Sequence, residues 1–254
     1  MQMSFFYAES QTLNFNTFTL FILYQNENEM SAHDVIYSFV SSFIALFPVI
    51  NPIGSGFIVN GFLQGLDDES QLRAVSKKIF TNILLIGIGS LVIGHFILLL
   101  FGLAVPVIQL GGGILICTTA FGWLTGSDSK ATDKANQTMK KVNLEEIEKS
   151  LFYPISFPIG LGPGSISVIF TLMATADVKG DLLVTGVNYS VIALSIVAMA
   201  GILYVFLLQG RKIMNKLGAS GSLIINKLVA FLTFCIGIQI IVTGISKIFH
   251  IDIL

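Results

Sequence analysis

Five long stretches of the chain contain no Asp, Glu, Lys or Arg, and they constrain its fold more than any other feature. Each is long enough for an α-helix of roughly 17 to 25 residues, the length that crosses about 30 Å of hydrocarbon. The interval 79–127 has room for two crossings and divides at residues 102–106. The charge-free stretches are 35–66, 79–127, 150–176, 182–210 and 228–246.

The pattern predicts an all-α polytopic membrane protein with six transmembrane helices. Strands of about ten residues with alternating polarity, which a membrane β-barrel would require, are absent from the sequence. Charged residues make up 11% of the chain, against about 25% in soluble domains. The predicted spans are approximately 35–63, 80–101, 107–125, 151–175, 182–208 and 228–247.

The basic residues indicate an orientation, because short cytoplasmic loops are enriched in Lys and Arg. Twelve of the 14 Lys and Arg fall in the loops after spans one, three and five, and the other two are Lys179 and Lys247. Both termini are therefore predicted to lie outside. The loops 64–79, 126–150 and 209–227 are predicted to be cytoplasmic.

Residues 1–33 form an N-terminal extension with a different composition. The extension contains no Lys or Arg, so the positive region of a signal peptide is missing. Two interpretations remain: Met30 is the functional start, or the extension forms a short surface helix.

Two segments of the chain resemble each other at an offset of 110 residues. The first motif, Leu46–Ser55, reads LFPVINPIGS, and the second motif, Ser156–Ser165, reads SFPIGLGPGS. A weaker match at an offset of 118 pairs Cys117 with Cys235. Because each copy holds three spans, an odd number, the second must be inverted. The prediction is two inverted three-helix repeats, 34–127 and 150–254, joined by the loop 128–149; chance similarity of apolar sequences is the alternative.

Prolines and glycines at mid-span predict that helices one and four are broken near the bilayer centre. Asn51-Pro52 and Gly162-Pro163 suit the N-cap and first position of a restarted helix. The restarted helix exposes N–H groups that favour a carboxylate. Carbonyls that lose their helical partner, at residues 44, 48, 154 and 159, can receive an ammonium group. Broken helices in inverted halves are typical of transporter binding sites, whereas the alternative is that Pro and Gly serve helix packing. The predicted substrate-binding residues are Asn51, Pro52, Gly54, Ser55, Gly162, Pro163, Gly164 and Ser165.

Other polar residues in the spans are weaker candidates. Asn188 is a candidate cavity-lining residue, and His95 is a candidate for proton coupling because histidine titrates near neutral pH. Ser165 with His95 superficially suggests an intramembrane protease, but no spacing brings base and nucleophile together. The chain is therefore predicted not to be an enzyme. No metal cluster, phosphate loop or dinucleotide motif is present, and no basic patch suggests nucleic acid.

The paired motifs, the Gly111–Gly113 start of span three and the six-span layout resemble the MarC family of bacterial inner-membrane proteins over roughly residues 34–250. Members usually carry Asp or Asn before the first motif's proline, as Asn51 does here, whereas residues 1–29 depart from the usual short N-terminus. The resemblance implies an inverted-repeat bundle in the bacterial inner (plasma) membrane. It also implies transport of neutral amino acids such as glycine or alanine, as some members perform.

Together these features favour a secondary transporter of small neutral, zwitterionic solutes that works by alternating access. The expected partners are the lipid bilayer and a small neutral amino acid. No cofactor is expected, and H⁺ or Na⁺ is the candidate coupling ion. A non-transporting membrane scaffold or assembly factor is the alternative.

Overall fold

The computed structural model of the chain describes residues 32–63, 66, 68–125, 144–176 and 181–249. Residues 1–31 of the N-terminal extension, including Met30, and residues 128–143 of the loop 128–149 lie outside these residues. The described part is helical and contains no strand. Its helices are α1 (Ala32–Ile50), α2 (Pro52–Phe62), α3 (Glu69–Phe101), α4 (Val105–Thr125), α5 (Leu144–Ser150), α6 (Pro163–Ala176) and α7 (Leu182–Phe249), with an irregular segment, Leu151–Gly160, between α5 and α6.

These helices confirm the predicted all-α membrane architecture. Five are long and apolar enough to cross a membrane, and the bent pair Ile147–Gly160 and Pro163–Ala176 brings the number to six within the described residues. The helix of span two begins at Glu69 rather than near residue 80. The charged turn around Arg73 and Lys77 is exposed, so the helix continues beyond its apolar part.

Helix α7 supplies two spans that meet near Gly218, which has a positive φ of 68°. The first arm of α7 is Leu182–Gly210 and the second arm is Leu223–Phe249. A glycine suits this position because it adopts positive φ without steric cost. The chain thus turns between spans five and six without a separate loop.

Glycines let α4 and the second arm of α7 pack closely. A Cβ on Gly113 would lie 2.6 Å from Ile241 Cγ1, and one on Gly237 would lie 2.6 Å from Cys117 Sγ. These approaches are too short for any side chain larger than hydrogen. Cys117 and Cys235 are both free thiols, and a free cysteine behaves as a small apolar group.

The buried core lies around the two helix breaks, where α1, α2, α3, α6 and the first arm of α7 meet. Its fully buried members include Leu46, Ile83, Leu161, Ile169 and Ile192. All are aliphatic side chains, so none needs a hydrogen-bond partner. The breaks are therefore held inside the bundle rather than at its lipid-facing surface.

Polar contacts gather at the end of the bundle that carries the basic loops. Lys78 on α3 pairs with Glu148 on α5 at 2.5 Å. Lys227 Nζ donates to the carbonyls of Trp123 and Leu124 at the end of α4, as basic side chains do at helix C-termini. The first contact joins α3 to α5, which leads into the second break, and the second contact joins α7 to α4.

Candidate functional site at the two helix breaks

The first motif breaks its span at one residue. Asn51 has left-handed backbone geometry, with φ 46° and ψ 62°, and Pro52 begins α2 directly after it. The Asn51 Oδ1 accepts a hydrogen bond from the Gly54 N–H at 2.9 Å. Asparagine tolerates this backbone region better than most residues and is a favoured N-cap. The Asn51 side chain therefore satisfies one of the free N–H groups at the start of α2.

The second motif breaks its span over a longer segment, and the helices on its two sides differ in direction by 59°. The segment Leu151–Gly160 has extended backbone at Tyr153 and Phe157, and Leu161 is extended as well. Helix α6 then begins at Pro163. The Gly164 and Ser165 N–H groups of its first turn donate to no backbone carbonyl within the described residues, as expected for a helix N-terminus.

A carbonyl explains why the second break has no side-chain cap. Any Cβ at Gly162, the residue before α6, would lie 2.9 Å from Pro158 O. The close backbone approach excludes the Asn, Ser or Asp that would otherwise cap the helix. The N-terminus of α6 consequently keeps its donors available.

The two motifs exchange hydrogen bonds in a reciprocal way. Ser165 Oγ donates to Val49 O at 3.2 Å. Ser55 Oγ lies 2.8 Å from Ile159 O and 3.0 Å from Ile50 O, and it donates its single proton to one of them at a time. Ser55 corresponds to Ser165, and Val49 to Ile159, at the offset of 110 residues. This reciprocity supports the predicted relation between the motifs.

Hydroxyl groups also satisfy carbonyls that the prolines release. Of the four carbonyls expected to lose their helical partners, Ile159 O accepts from Ser55 and Pro48 O accepts from Thr233 Oγ1 at 2.9 Å. Thr233 lies on the second arm of α7. Hydroxyl groups from α2, α6 and α7 thus hydrogen-bond carbonyls at the two breaks. These bonds lower the free-energy cost of irregular backbone inside a membrane.

A cavity of about 440 Å³ lies against the second break. Its wall runs from the α6 N-terminus to residues near the basic-loop ends of α2 and α4, including Phe62 and Trp123. None of the described residues that line it is Asp, Glu, Lys, Arg or His. The lining residues are Val49, Ile58, Phe62, Ile116, Thr119, Trp123, Pro154, Pro158, Ile159, Gly162, Pro163, Gly164, Ser165 and Thr233.

The structure separates the predicted binding residues into two groups. The four of the second motif, Gly162 to Ser165, line the cavity. The four of the first motif lie behind the wall and are buried: Asn51, Pro52, Gly54 and Ser55. Among the first-motif residues, Val49 reaches the cavity instead.

The two weaker candidates lie away from the cavity lining. Asn188 Nδ2 donates to Ala176 O at 3.2 Å, so its amide satisfies the end of α6. His95 is exposed on the surface of α3, and its ring contacts Phe96. Neither residue is in position to touch a solute in this cavity.

The cavity wall contributed by α4 did not follow from the motifs. Ile116, Thr119 and Trp123 line it together. Their spacing of three and four residues places them on one helix face. This periodicity was the sequence signal that could have indicated a shared surface. Thr233 had no comparable signal, because its role depends on a carbonyl far away in sequence.

The bundle is closed on the other side of the breaks. Ser167 Oγ of α6 donates to Ile108 O of α4 at 2.9 Å. A Cβ on Gly112 would collide with the Ser167 side chain, so α4 and α6 are in direct contact there. The cavity therefore extends only toward the basic-loop end among the described residues.

Comparisons with known proteins identify relatives along nearly the whole helical part. The family model for MarC family integral membrane proteins matches residues 36–249. A membrane protein of Pyrococcus abyssi is 25% identical over 86% of this chain and 99% of its own length. YvbG, a membrane protein of Bacillus subtilis, is 27% identical over 85% of this chain and 99% of its own. The inner membrane protein MarC of Escherichia coli O157:H7 is 25% identical, covering 81% and 92%. No solved structure matches the chain.

Proposed function

The chain belongs to the MarC family of integral membrane proteins, and from that premise we propose that it is a secondary transporter of small neutral, zwitterionic solutes. Amino acids such as glycine or alanine are the proposed class. The proposal assigns the chain no enzymatic activity.

One observation carries the proposal: an uncharged cavity of about 440 Å³ meets the uncapped N-terminus of α6 inside the bundle. Pockets of roughly 300 to 1,000 Å³ are the size that holds small molecules. The first-turn N–H groups at Gly164 and Ser165 suit a carboxylate without a cationic side chain. A solute with no net charge fits a wall that supplies no counter-ion.

The ammonium group of a zwitterion needs acceptors near the same break. The carbonyls of Val49 and Ile159, both lining residues, each use one lone pair for a serine hydroxyl. A carbonyl oxygen has two lone pairs, so each retains one for an ammonium group. Backbone groups alone could thus hold both ends of the solute.

Alternating access would follow from the contact that closes the bundle between α4 and α6. The cavity extends toward the predicted cytoplasmic loops, so this conformation corresponds to an inward-facing state. Outward opening requires α6 to separate from α4 at Ser167 and Gly112. Relative movement of repeat-derived helices about a fixed site is the general scheme of such transporters.

The membrane setting is part of the same proposal. We place the chain in the bacterial inner membrane with both termini outside and H⁺ or Na⁺ as the coupling ion. The exposed Lys212 then lies on the cytoplasmic side. A Lys212→Cys variant should react with an impermeant thiol reagent only after the cytoplasmic face is made accessible, and labelling in intact cells would reverse the orientation.

Binding can be measured directly because Trp123, the chain's single tryptophan, lines the cavity. Titration of the purified protein with glycine, alanine and other neutral amino acids should change Trp123 fluorescence and raise the melting temperature, since ligand binding stabilises the native state. The same solutes should show counterflow in proteoliposomes. No binding and no counterflow across the panel would favour a non-transporting scaffold or assembly factor.

Thiol labelling tests the site without disturbing the helix break. With Cys117 and Cys235 replaced by alanine, a Thr119→Cys variant places a thiol in the cavity wall, and bound solute should slow its labelling. Thr118→Cys is the matched control. Thr118 is also exposed and also bonds Leu115 O, but it does not line the cavity. Equal protection of both thiols would place the site elsewhere.

Adjacent glycines test the closing contact. Gly112→Ala should force α4 away from Ser167 and reduce counterflow by roughly tenfold or more, since overpacking typically costs about 1 to 3 kcal/mol. Gly111→Ala should transport normally, because a Cβ at Gly111 meets nothing within 4 Å. Normal counterflow by Gly112→Ala in correctly folded protein would exclude this contact as part of the transport cycle.

A further inference from the structure

The cavity has a polar end and an apolar body, and this division bears on which solute it holds. The polar end is the start of α6, at Gly164 and Ser165. The rest of the wall presents Ile58, Phe62 and Ile116, together with Trp123, Pro154 and Ile159. A ligand that contacted only the polar end would leave most of this apolar wall in contact with water.

The hydroxyl groups in the wall do not make the body polar. Thr119 Oγ1 donates to Leu115 O at 2.8 Å, and Thr233 Oγ1 donates to Pro48 O or Val229 O. Ser165 Oγ donates to Val49 O. Each hydroxyl proton is therefore already used by a backbone carbonyl, and these side chains present mainly methyl or methylene groups and an acceptor oxygen.

The cavity also has more room than the smallest amino acids fill. Its volume of about 440 Å³ lies in the roughly 300 to 1,000 Å³ range of pockets that hold drug-sized ligands. Glycine or alanine would displace only a minor part of that volume. A branched aliphatic or aromatic side chain would displace much more of the water that contacts the apolar wall.

We infer that the cavity selects solutes with a large apolar substituent, such as leucine, isoleucine, methionine or phenylalanine, over glycine and alanine. The inference rests on the proposed function, which assigns the carboxylate to the start of α6. It narrows the substrate class of that site by the chemistry of the wall. Each further methylene buried against an apolar wall multiplies affinity by about four, so leucine should bind at least about tenfold more tightly than alanine.

The test is calorimetric titration of the full-length protein with glycine, alanine, leucine and phenylalanine. Tighter binding of leucine and phenylalanine, by about tenfold or more, supports the inference. Alanine binding as tightly as leucine overturns it and leaves the proposed transport function standing. Absence of binding by all four contradicts the proposed function itself, and the inference fails with it.

A variant that fills part of the cavity tests whether this cavity determines the preference for leucine over alanine. Thr119→Phe should lower leucine affinity by roughly tenfold while changing alanine affinity less than about threefold, because the added ring occupies the apolar body. Thr118→Phe is the matched control and should keep the wild-type preference. Thr119→Val, which removes the hydroxyl without filling space, should also keep it and separates filling from loss of the hydrogen bond. An unchanged leucine-to-alanine ratio in folded Thr119→Phe would overturn the assignment.

Discussion

The two motifs share Phe, Pro, Gly and Ser at equivalent positions, yet their breaks differ in what they leave available. In the first motif, Asn51 caps α2 with its own side chain and is almost completely buried. In the second, Gly162 provides no side chain, and the start of α6 faces the cavity. The difference shows how two similar sequence motifs can form a buried helix cap in one case and part of a cavity wall in the other.

The structural reason for the difference lies in the backbone on the approach to each break. Asn51 continues directly from α1, and its N–H donates to Phe47 O at 2.9 Å. Before α6 the chain passes through extended backbone at Phe157 and brings Pro158 O against Gly162. A capping side chain therefore fits at the first break and is excluded from the second.

The largest expected effect comes from removing the cap of the first break. Asn51→Leu loses the acceptor for the Gly54 N–H, at a cost of about 0.5 to 2 kcal/mol. It also places a bulky residue in left-handed backbone, at about 1 to 2 kcal/mol more. The free energy of unfolding in mixed micelles should fall by about 1.5 to 4 kcal/mol.

Asn51→Gly is the control for that prediction. Glycine accepts the left-handed backbone and replaces a good N-cap at a cost of only a few tenths of a kcal/mol. Because Asn51 lies behind the cavity wall, ligand affinity should change little in this variant. Equal loss of stability in Asn51→Gly and Asn51→Leu would contradict the backbone explanation.

Gly162→Ala tests the reason given for the open second break. Its Cβ would press on Pro158 O, so the start of α6 must shift. The free energy of unfolding should fall by about 1 to 3 kcal/mol, and ligand affinity should fall as well. Gly186→Ala is the comparison, since a Cβ there meets nothing within 4 Å and alanine is favoured in helices. A Gly162→Ala variant with normal stability and affinity would show that the carbonyl does not dictate glycine at this position.

The positions of both breaks could be predicted from sequence because proline acts locally. Pro52 and Pro163 each follow a residue suited to a helix start, and proline there lacks the N–H that would bond the preceding turn; Pro48 alone does not end α1. The six spans were equally accessible, since charge-free length selects five stretches and the segment 102–106 divides one of them in two. Local rules and composition therefore sufficed for the architecture.

Which of the two breaks faces the cavity could not be predicted in the same way. Whether Asn51 or Gly162 faces a cavity depends on which helices pack beside it, and Thr233 comes from a distant span to bond Pro48 O. Asn188 was a candidate cavity-lining residue, but polar side chains in membranes also hydrogen-bond between helices, and its amide donates to Ala176 O at the end of α6. Such pairings require the tertiary arrangement.

A smaller and more selective effect is expected from the reciprocal serines. Ser55→Ala and Ser165→Ala should each reduce the free energy of unfolding by about 0.5 to 1.5 kcal/mol, because each removes a hydrogen bond to a part-buried carbonyl. Only Ser165 lines the cavity, so only Ser165→Ala should also weaken solute binding, by roughly three- to tenfold. Calorimetry on both variants checks this, and equal effects on affinity would contradict the distinction between the motifs.

The smallest effect concerns a contact that only the second break has on its approach. Lys78 and Glu148 join α3 to α5 at 2.5 Å, but their side chains are 55% and 44% exposed. Exposed ion pairs contribute about 0 to 1 kcal/mol, and salt screens them. A double-mutant cycle with Lys78→Met and Glu148→Gln should therefore give a coupling energy below about 1 kcal/mol that decreases further in 1 M salt. A larger, salt-resistant coupling would mean that this pair holds the second break in place, and that its geometry is not set by the chain's own backbone contacts at Pro158 and Gly162.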